Sequence, residues 1–225
     1  PRGSINSLLG QAAERPEIRA QVISYARHFR KYIVLTHKFK RAPLFKDRLR
    51  VIRYEDTMAN PALVMEETCH FLGVDYDERM IDTKQYLDFS TGSVWKGNSA
   101  FDKIVTGFDL QRSMRWKKTL SVETIAAIEF LCANEMKIAG YAPDNEINTD
   151  PVQVMNYLIH EDFRTPVKWR TDIGDPTLDL SLELLRHTLL RSTTKLVDSM
   201  VLRRCFLFEE FCNPDIEPLF PLKAT

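Results

Sequence analysis

Three short stretches of the sequence combine unusual residue types at turn positions that could bind a ligand. The first, PRGSINS at residues 1–7, places Arg2, Ser4 and Ser7 where a turn leads into a helix. The positive end of a helix attracts phosphate groups, and hydroxyl or guanidinium donors beside it add hydrogen bonds. Turns of this composition also serve as simple helix caps, so the stretch alone predicts either a cap or a phosphate site.

The second stretch, VIRYEDTMANP, begins with a short β-branched run suited to a buried strand that ends in Tyr-Glu-Asp. Ligands of open α/β sheets bind at the carboxyl ends of the strands, where Tyr54 would offer a ring for stacking or a hydroxyl for hydrogen bonding. Glu55 and Asp56 have a structural interpretation as well: they anchor the following turn or pair with Arg53.

The third stretch, GSVWKGNSAFD, contains Lys96, Gly97, Asn98 and Ser99 directly after a tryptophan. The lysine would supply positive charge, and the glycine would let the backbone approach a ligand closely. A solvated surface loop is the alternative interpretation of the same residues.

The hydrophobic pattern predicts the elements that must position these stretches. One strand is predicted over LRVIRYED at residues 49–56. Helices are predicted over residues 1–13, 17–38, 62–72, 76–89, 121–140, 151–161 and 178–212. Because one strand makes no sheet, this order is typical of an α/β domain whose other strands lie outside the chain.

Composition narrows the classes of function. The 31 basic and 31 acidic residues give no net charge, which argues against a general nucleic-acid binder but not against a local basic pocket for one small anion. The 44% of hydrophobic residues is enough for a sizeable core, yet no stretch approaches the roughly 18 apolar residues of a membrane span.

The four cysteines show no metal-ligand spacing and no C-x2-C pair. Their even number permits disulfides without requiring them, and buried free thiols are the other interpretation. They are Cys69, Cys132, Cys205 and Cys212.

Taken in order, the three stretches resemble the C-terminal portion of the sulfotransferase family that uses 3′-phosphoadenosine 5′-phosphosulfate (PAPS), with the greatest likeness to its Golgi carbohydrate-type branch. PRGSINSLL resembles the end of the family's 3′-phosphate motif, with Ser7 as its serine. VIRYEDTMANPALVMEETCHFLGV is similar to the R-Y-E-D…P…FLG segment. VWKGNSAFD takes the place of the loop over the 3′-phosphate, and RWKKTLS with IEFLCANEMKIAGY resembles the closing pattern.

The resemblance implies a P-loop-NTPase-like parallel sheet with flanking helices, incomplete at the N-terminus. It assigns residues 1–143 to the C-terminal part of a sulfotransferase domain. Residues 144–225 match nothing in the family and are expected to be a mainly helical extension. The implied reaction moves a sulfuryl group from PAPS to a hydroxyl or amine of a carbohydrate acceptor, with no metal.

The resemblance also implies site residues. The residues implied to bind the cofactor are Arg2, Ser7, Tyr54, Lys96, Gly97, Asn98 and Ser99. No catalytic base is assigned, because the segment that carries it, like the loop for the 5′-phosphosulfate, is expected upstream of Pro1; His28 and His37 are expected to be surface or hydrogen-bonded histidines.

Other expectations concern partners and compartment. The partners are a nucleotide cosubstrate and a glycan or other acceptor, without nucleic acid. The compartment is the Golgi lumen, with any membrane anchor upstream, or alternatively the cytoplasm. We expect the 225 residues alone to be inactive and to fold poorly, because their strand would expose its edges. The competing hypothesis is a non-catalytic helical interaction module derived from the sulfotransferase fold.

Overall fold

The computed structural model of the chain forms two compact units. It describes residues 1–14, 21–95, 107–144, 147–162, 175–192 and 197–221. The first unit contains Pro1–Lys38 and Leu120–Thr225, and the second contains Phe39–Thr119. The domain boundary expected near residue 143 stays a prediction.

Helices make up most of the described residues. The α-helices are α1 (Arg2–Glu14), α2 (Val22–Arg41), α3 (Tyr54–Ala59), α4 (Pro61–Leu72), α5 (Leu110–Ser113), α6 (Trp116–Thr119), α7 (Val122–Ile138), α8 (Pro151–Tyr157), α9 (Pro176–Arg191) and α10 (Ser199–Phe206). Short 3-10 turns lie at Glu78–Ile81 and Glu209–Cys212, and a π-turn lies at Leu158–Asp162. Within the described ranges, no helix combines the length and hydropathy needed to cross a membrane.

Helix α7 forms the centre of the first unit. The Ser121 hydroxyl caps its start by accepting a hydrogen bond from the Thr124 amide at 3.2 Å. Gly140 follows its end with φ of +76°, in the left-handed region that favours glycine. Thirteen of the seventeen α7 residues are buried, so other parts of the unit cover the helix on all sides rather than along one stripe.

Two apolar clusters surround α7. In one, Ile5 of α1 and Ile23 of α2 pack with the middle of α7 and with Leu158. In the other, Val34 of α2 and Ile138, the last residue of α7, pack with apolar residues of α9 and α10 and with Phe211. The middle of α7 and its C-terminal end are therefore buried by different partners.

The second unit is built around α3 and α4. Pro61 begins α4, where its fixed φ suits the first helical position, and Gly73 ends it with φ of +70°. On its buried face the Cys69 thiol lies 3.6 Å from the sulfur of Met80. Among the described residues of this unit, Cys69 and Trp116 are the buried apolar side chains.

The parallel sheet expected from the family resemblance is wrong for the described residues. They contain no strand, only an isolated bridge between Leu87 and Val94. Residues 49–53 form no regular element, Ile52 is 43% exposed, and helix α3 begins at Tyr54. A short β-branched run with no neighbouring strand cannot pair its backbone, so the helical bonds that start at the Arg53 carbonyl prevail. The expected exposed strand edge disappears with the strand.

Most predicted helices are confirmed with shifted ends, but two are wrong. The residues predicted as a helix over 76–89 form only the turn Glu78–Ile81. The long helix predicted over 178–212 is replaced by α9, α10 and a 3-10 turn, and α9 ends at Arg191.

All four cysteines are free thiols, and no disulfide joins them. Of the two interpretations of the cysteines, the structure agrees with free thiols. Three are buried and Cys212 is half-buried. Burial raises the pKa of the Cys132 thiol to about 12, which keeps it protonated and unreactive.

Ion pairs join α2 to α9 inside the first unit. Arg30 contacts both carboxylate oxygens of Glu183, at 2.6 and 2.9 Å. Arg27 reaches the same carboxylate at 2.8 Å and Asp179 at 2.8 Å. Burial alone would raise the pKa of Glu183, but attraction to Arg30 and its hydrogen bonds outweigh burial and lower the pKa to about 2.

This lowered pKa predicts instability in acid. The native carboxylate stays ionised well below the ordinary Glu pKa of 4.5, so its contribution is complete above pH 4.5 and is lost as the pH falls towards 2. A shift of this size corresponds to about 3 kcal/mol. Urea unfolding followed by circular dichroism between pH 7 and pH 3 should show this loss.

The Glu183→Gln variant should be less stable at pH 7 and should show a flatter dependence on pH, because glutamine does not titrate. Glu66→Gln, which changes an exposed carboxylate without an ion pair among the described residues, is the matched control and should keep the wild-type slope. Equal slopes in wild type and Glu183→Gln would contradict the assignment.

Candidate cofactor site

The first predicted phosphate-binding stretch lies at the start of α1 and is held by a buried ion pair. The Arg2 side chain is 4% exposed, and its Nη1 donates to Oε1 of Glu129 in α7 at 2.6 Å. Its Nη2 donates to the carbonyl of Ala142 at 3.2 Å. The Arg2 guanidinium therefore fixes the N-terminal turn onto α7.

The Glu129 carboxylate accepts hydrogen bonds from two different parts of the chain. Besides Arg2, the Asp144 amide donates to both of its oxygens, at 3.0 and 3.2 Å. Burial raises the pKa of Glu129, while the Asp144 amide and the charge of Arg2 limit that rise. The carboxylate thus joins the start of α1, the middle of α7 and the segment after α7.

Ser7 lies inside α1 rather than in a turn before the helix. The first helical bond runs from the Ile5 amide to the Pro1 carbonyl at 2.9 Å, so Ser7 follows the first turn. Its side chain is half-buried, and its hydroxyl makes no hydrogen bond to another described residue. The group that Ser7 can offer to a ligand is the hydroxyl, not a backbone amide.

Tyr54 is the first residue of α3 in the second unit and is 55% exposed. Beside it, Arg53 donates to Asp56 at 2.8 and 3.0 Å across one helical turn. The structural interpretation of Asp56, as a partner of Arg53, is confirmed. The aromatic ring of Tyr54 is left accessible for stacking.

The third stretch is only partly described. Lys96, Gly97, Asn98 and Ser99 lie outside the described residues. Trp95, immediately before them, donates its amide to the Tyr86 carbonyl at 2.8 Å.

The histidines match their expected structural roles. His37 is 9% exposed, and its Nε2 lies 3.0 Å from the Glu217 carbonyl while its ring packs edge-on against Phe211. The ring of His28 contacts Tyr32 edge-on, with the centroids 4.8 Å apart. Neither geometry marks a catalytic base.

The sequence interpretation missed the buried charges of the first unit. The hydrophobic spacing of α2 predicts that Arg27 and Arg30 lie on its polar face, whereas both bind carboxylates of α9. A signal was present: Glu183 lies within a leucine-rich helix, and Glu129 and Glu135 lie within the apolar run of α7. A carboxylate on an apolar helix predicts a buried cation opposite it.

Comparison with known proteins finds a distant, partial similarity to sulfotransferases. Over 102 residues the chain is 28% identical to carbohydrate sulfotransferase 5 of Mus musculus, a stretch that is 45% of this chain and 25% of the mouse protein. The chain therefore spans about a quarter of the length of the curated relative that it matches. No protein-family profile matches the sequence. No solved structure matches it either.

The geometry predicts that Arg2 stabilises the fold. Replacing Arg2 by methionine leaves the buried Glu129 carboxylate without its cation, which should cost about 3–5 kcal/mol of unfolding free energy in urea. The double variant Arg2→Met with Glu129→Gln removes the uncompensated charge and should recover part of that loss.

Arg48→Met is the matched control, because Arg48 is exposed and makes no ion pair among the described residues; its cost should stay below about 0.5 kcal/mol. A loss below about 1 kcal/mol in Arg2→Met, or no recovery in the double variant, would contradict the structural role.

Proposed function

We propose that the chain forms the nucleotide-binding part of a sulfotransferase that transfers a sulfuryl group from PAPS to a hydroxyl or amine of a carbohydrate. The observation that supports the proposal most is the agreement of two findings. The ordered series from PRGSINS through RYED and FLG to the closing Gly-Tyr resembles the family, and 102 residues are 28% identical to a mouse carbohydrate sulfotransferase.

Ser7 is the proposed donor to the 3′-phosphate. Its hydroxyl has no hydrogen bond to another described residue, so a phosphate oxygen would not have to displace a protein partner. A hydrogen bond to an ionised acceptor is about twice as strong as one between neutral groups. Arg2 is the weaker candidate, because its guanidinium already binds Glu129 and the Ala142 carbonyl.

Tyr54 and the four residues from Lys96 to Ser99 are also proposed as nucleotide-binding residues. The exposed ring of Tyr54 would stack on the nucleoside. Lys96 would add charge, and Gly97, Asn98 and Ser99 would bring backbone and side-chain donors to the 3′-phosphate.

The proposed reaction is an in-line transfer. The acceptor oxygen or nitrogen forms a bond to sulfur, the bond between sulfur and the 5′-phosphate oxygen breaks, and the acceptor proton passes to a base. Positioning and electrostatic stabilisation dominate such a transfer. The contribution proposed for this chain is to hold the nucleotide; no described residue is assigned as the base.

The acceptor class and the compartment follow from the same likeness. The mouse relative is named a carbohydrate sulfotransferase, which supports a glycan acceptor here. A Golgi location is proposed on the resemblance to the Golgi branch of the family.

A non-catalytic helical module remains the second candidate. The observation that favours it is the lack of any strand among the described residues, because the family's fold is built on a sheet. The two candidates differ in one property: only the sulfotransferase binds the nucleotide.

Binding of adenosine 3′,5′-bisphosphate, measured by isothermal titration, tests the proposal. The 225-residue protein should bind it, and Ser7→Ala and Lys96→Ala should each weaken binding by about 10- to 100-fold through loss of a hydrogen bond to a charged group. Tyr54→Ala should weaken it about tenfold through lost stacking.

The controls remove the same groups elsewhere. Ser4→Ala lies one turn before Ser7, and Tyr32→Ala removes a ring that is 60% exposed on α2. Both should bind like wild type. Absence of binding, or equal affinities in Ser7→Ala, Lys96→Ala and wild type, would favour the non-catalytic module.

A further inference from the structure

A cavity of about 380 Å³ lies inside the first unit, between α2, α9 and α10, with Glu135 of α7 in its lining. A cavity of this volume lies within the range of sites that bind small molecules. Arg2, Ser7 and Tyr54 do not line it. Much of its lining comes from residues after 144, the part of the chain that resembles nothing in the sulfotransferase family.

The lining carries more positive than negative charge. Six basic side chains face three carboxylates around the cavity. The basic residues are Arg27, Arg30, Lys31, Arg186, Arg203 and Arg204. The chain as a whole has no net charge, so this is a local concentration of cations.

The three carboxylates are already neutralised by arginines. Glu135 accepts from Nη2 of Arg186 with both oxygens at 2.7 Å. Asp179 and Glu183 are bound by the two arginines of α2 described above. The three carboxylates and their three arginine partners therefore carry no net charge together, and this part of the lining does not repel an anion.

Cations without partners lie among the remaining lining residues. Lys31 and Arg204 are exposed and make no ion pair with a described residue. Arg203 binds Glu209 at 2.9 Å. In addition, Nε of Arg186 is buried without a hydrogen-bond partner in the described structure. Two unpaired positive charges and one unused buried N–H donor suit a ligand group that carries two negative charges and accepts hydrogen bonds.

We propose that this basic cavity binds a small ligand through a tetrahedral oxyanion, a phosphate or sulfate group. Such a group carries several acceptor oxygens for the arginine and lysine donors. Apolar side chains of Val34, Leu182 and Phe206 also line the cavity and would contact the body of an esterified ligand. The volume suits one sugar-sized molecule and excludes a folded partner. The site is separate from the proposed nucleotide site and does not depend on it.

Titration calorimetry on the 225-residue protein tests the proposal with five probes: inorganic phosphate, inorganic sulfate, glucose 6-phosphate, glucose 6-sulfate and glucose. The charged probes should bind saturably and more weakly as salt increases, and glucose should not bind. Tighter binding of the two esters identifies an esterified ligand, while equal binding of the inorganic ions identifies a free anion.

Variants place the binding in the cavity. Lys31→Ala and Arg204→Ala should each weaken the charged probes by about tenfold, and both residues are exposed, so the fold should survive. Lys137→Ala removes the same charge from an exposed position outside the cavity and should change nothing. Lys31→Ala should leave the affinity for adenosine 3′,5′-bisphosphate unchanged, which separates this site from the nucleotide site.

Two results would overturn the proposal. One is the absence of saturable binding by all four charged probes. The other is binding that the double variant of Lys31→Ala with Arg204→Ala leaves unaltered, which would place the anion elsewhere.

Discussion

A helix buried on all sides that carries two carboxylates sets the main constraint on the first unit. Glu129 and Glu135 of α7 are 2% and 1% exposed. An uncompensated charge in such surroundings costs several kcal/mol, so each carboxylate requires a cation from another element. Arg2 of α1 and Arg186 of α9 supply them. The charges of α7 thereby specify which helices lie beside it and in which register.

The same network of ion pairs extends to α2 and determines which side chains stay available to bind a ligand. Arg30 donates to the Leu131 carbonyl of α7 at 2.9 Å and also binds Glu183 of α9. The arginines nearest the centre are therefore structural, and the groups left for ligands lie at the periphery. They are the Ser7 hydroxyl, the Tyr54 ring and the unpaired cations around the basic cavity. The residues that stabilise the first unit are thus different from the residues proposed to bind ligands.

Local signals made several helices predictable from the sequence. Ser121, Pro61 and the left-handed glycines at 73 and 140 act on neighbouring backbone, so the ends of α4 and α7 follow from nearby residues. The strand predicted over residues 49–56 is absent, because β-branched residues favour a strand only when a neighbouring strand is present.

The prediction of one long helix over residues 178–212 was wrong for a similar reason. The leucine spacing of this segment is compatible with one long helix or with two shorter helices separated by a break. The packing of the two helices around α7 determines where the break lies. The motifs name single candidate residues of the site, and these stay predictions. The pairing of Arg30 with Glu183 is a contact across 153 positions, which no local pattern encodes. The structure keeps Ser7 and Tyr54 as candidates but gives Arg2 a role in the core.

Amide hydrogen exchange along α7 tests most directly whether this buried, ion-paired helix organises the first unit. The amides of residues 128–136 should exchange only through global unfolding, with an opening free energy equal to that measured in urea. The amides of α8 and α10 should open at lower free energy. If α7 exchanged through local opening, ahead of α8 or α10, the helix would not be the centre of the unit and the account would be wrong.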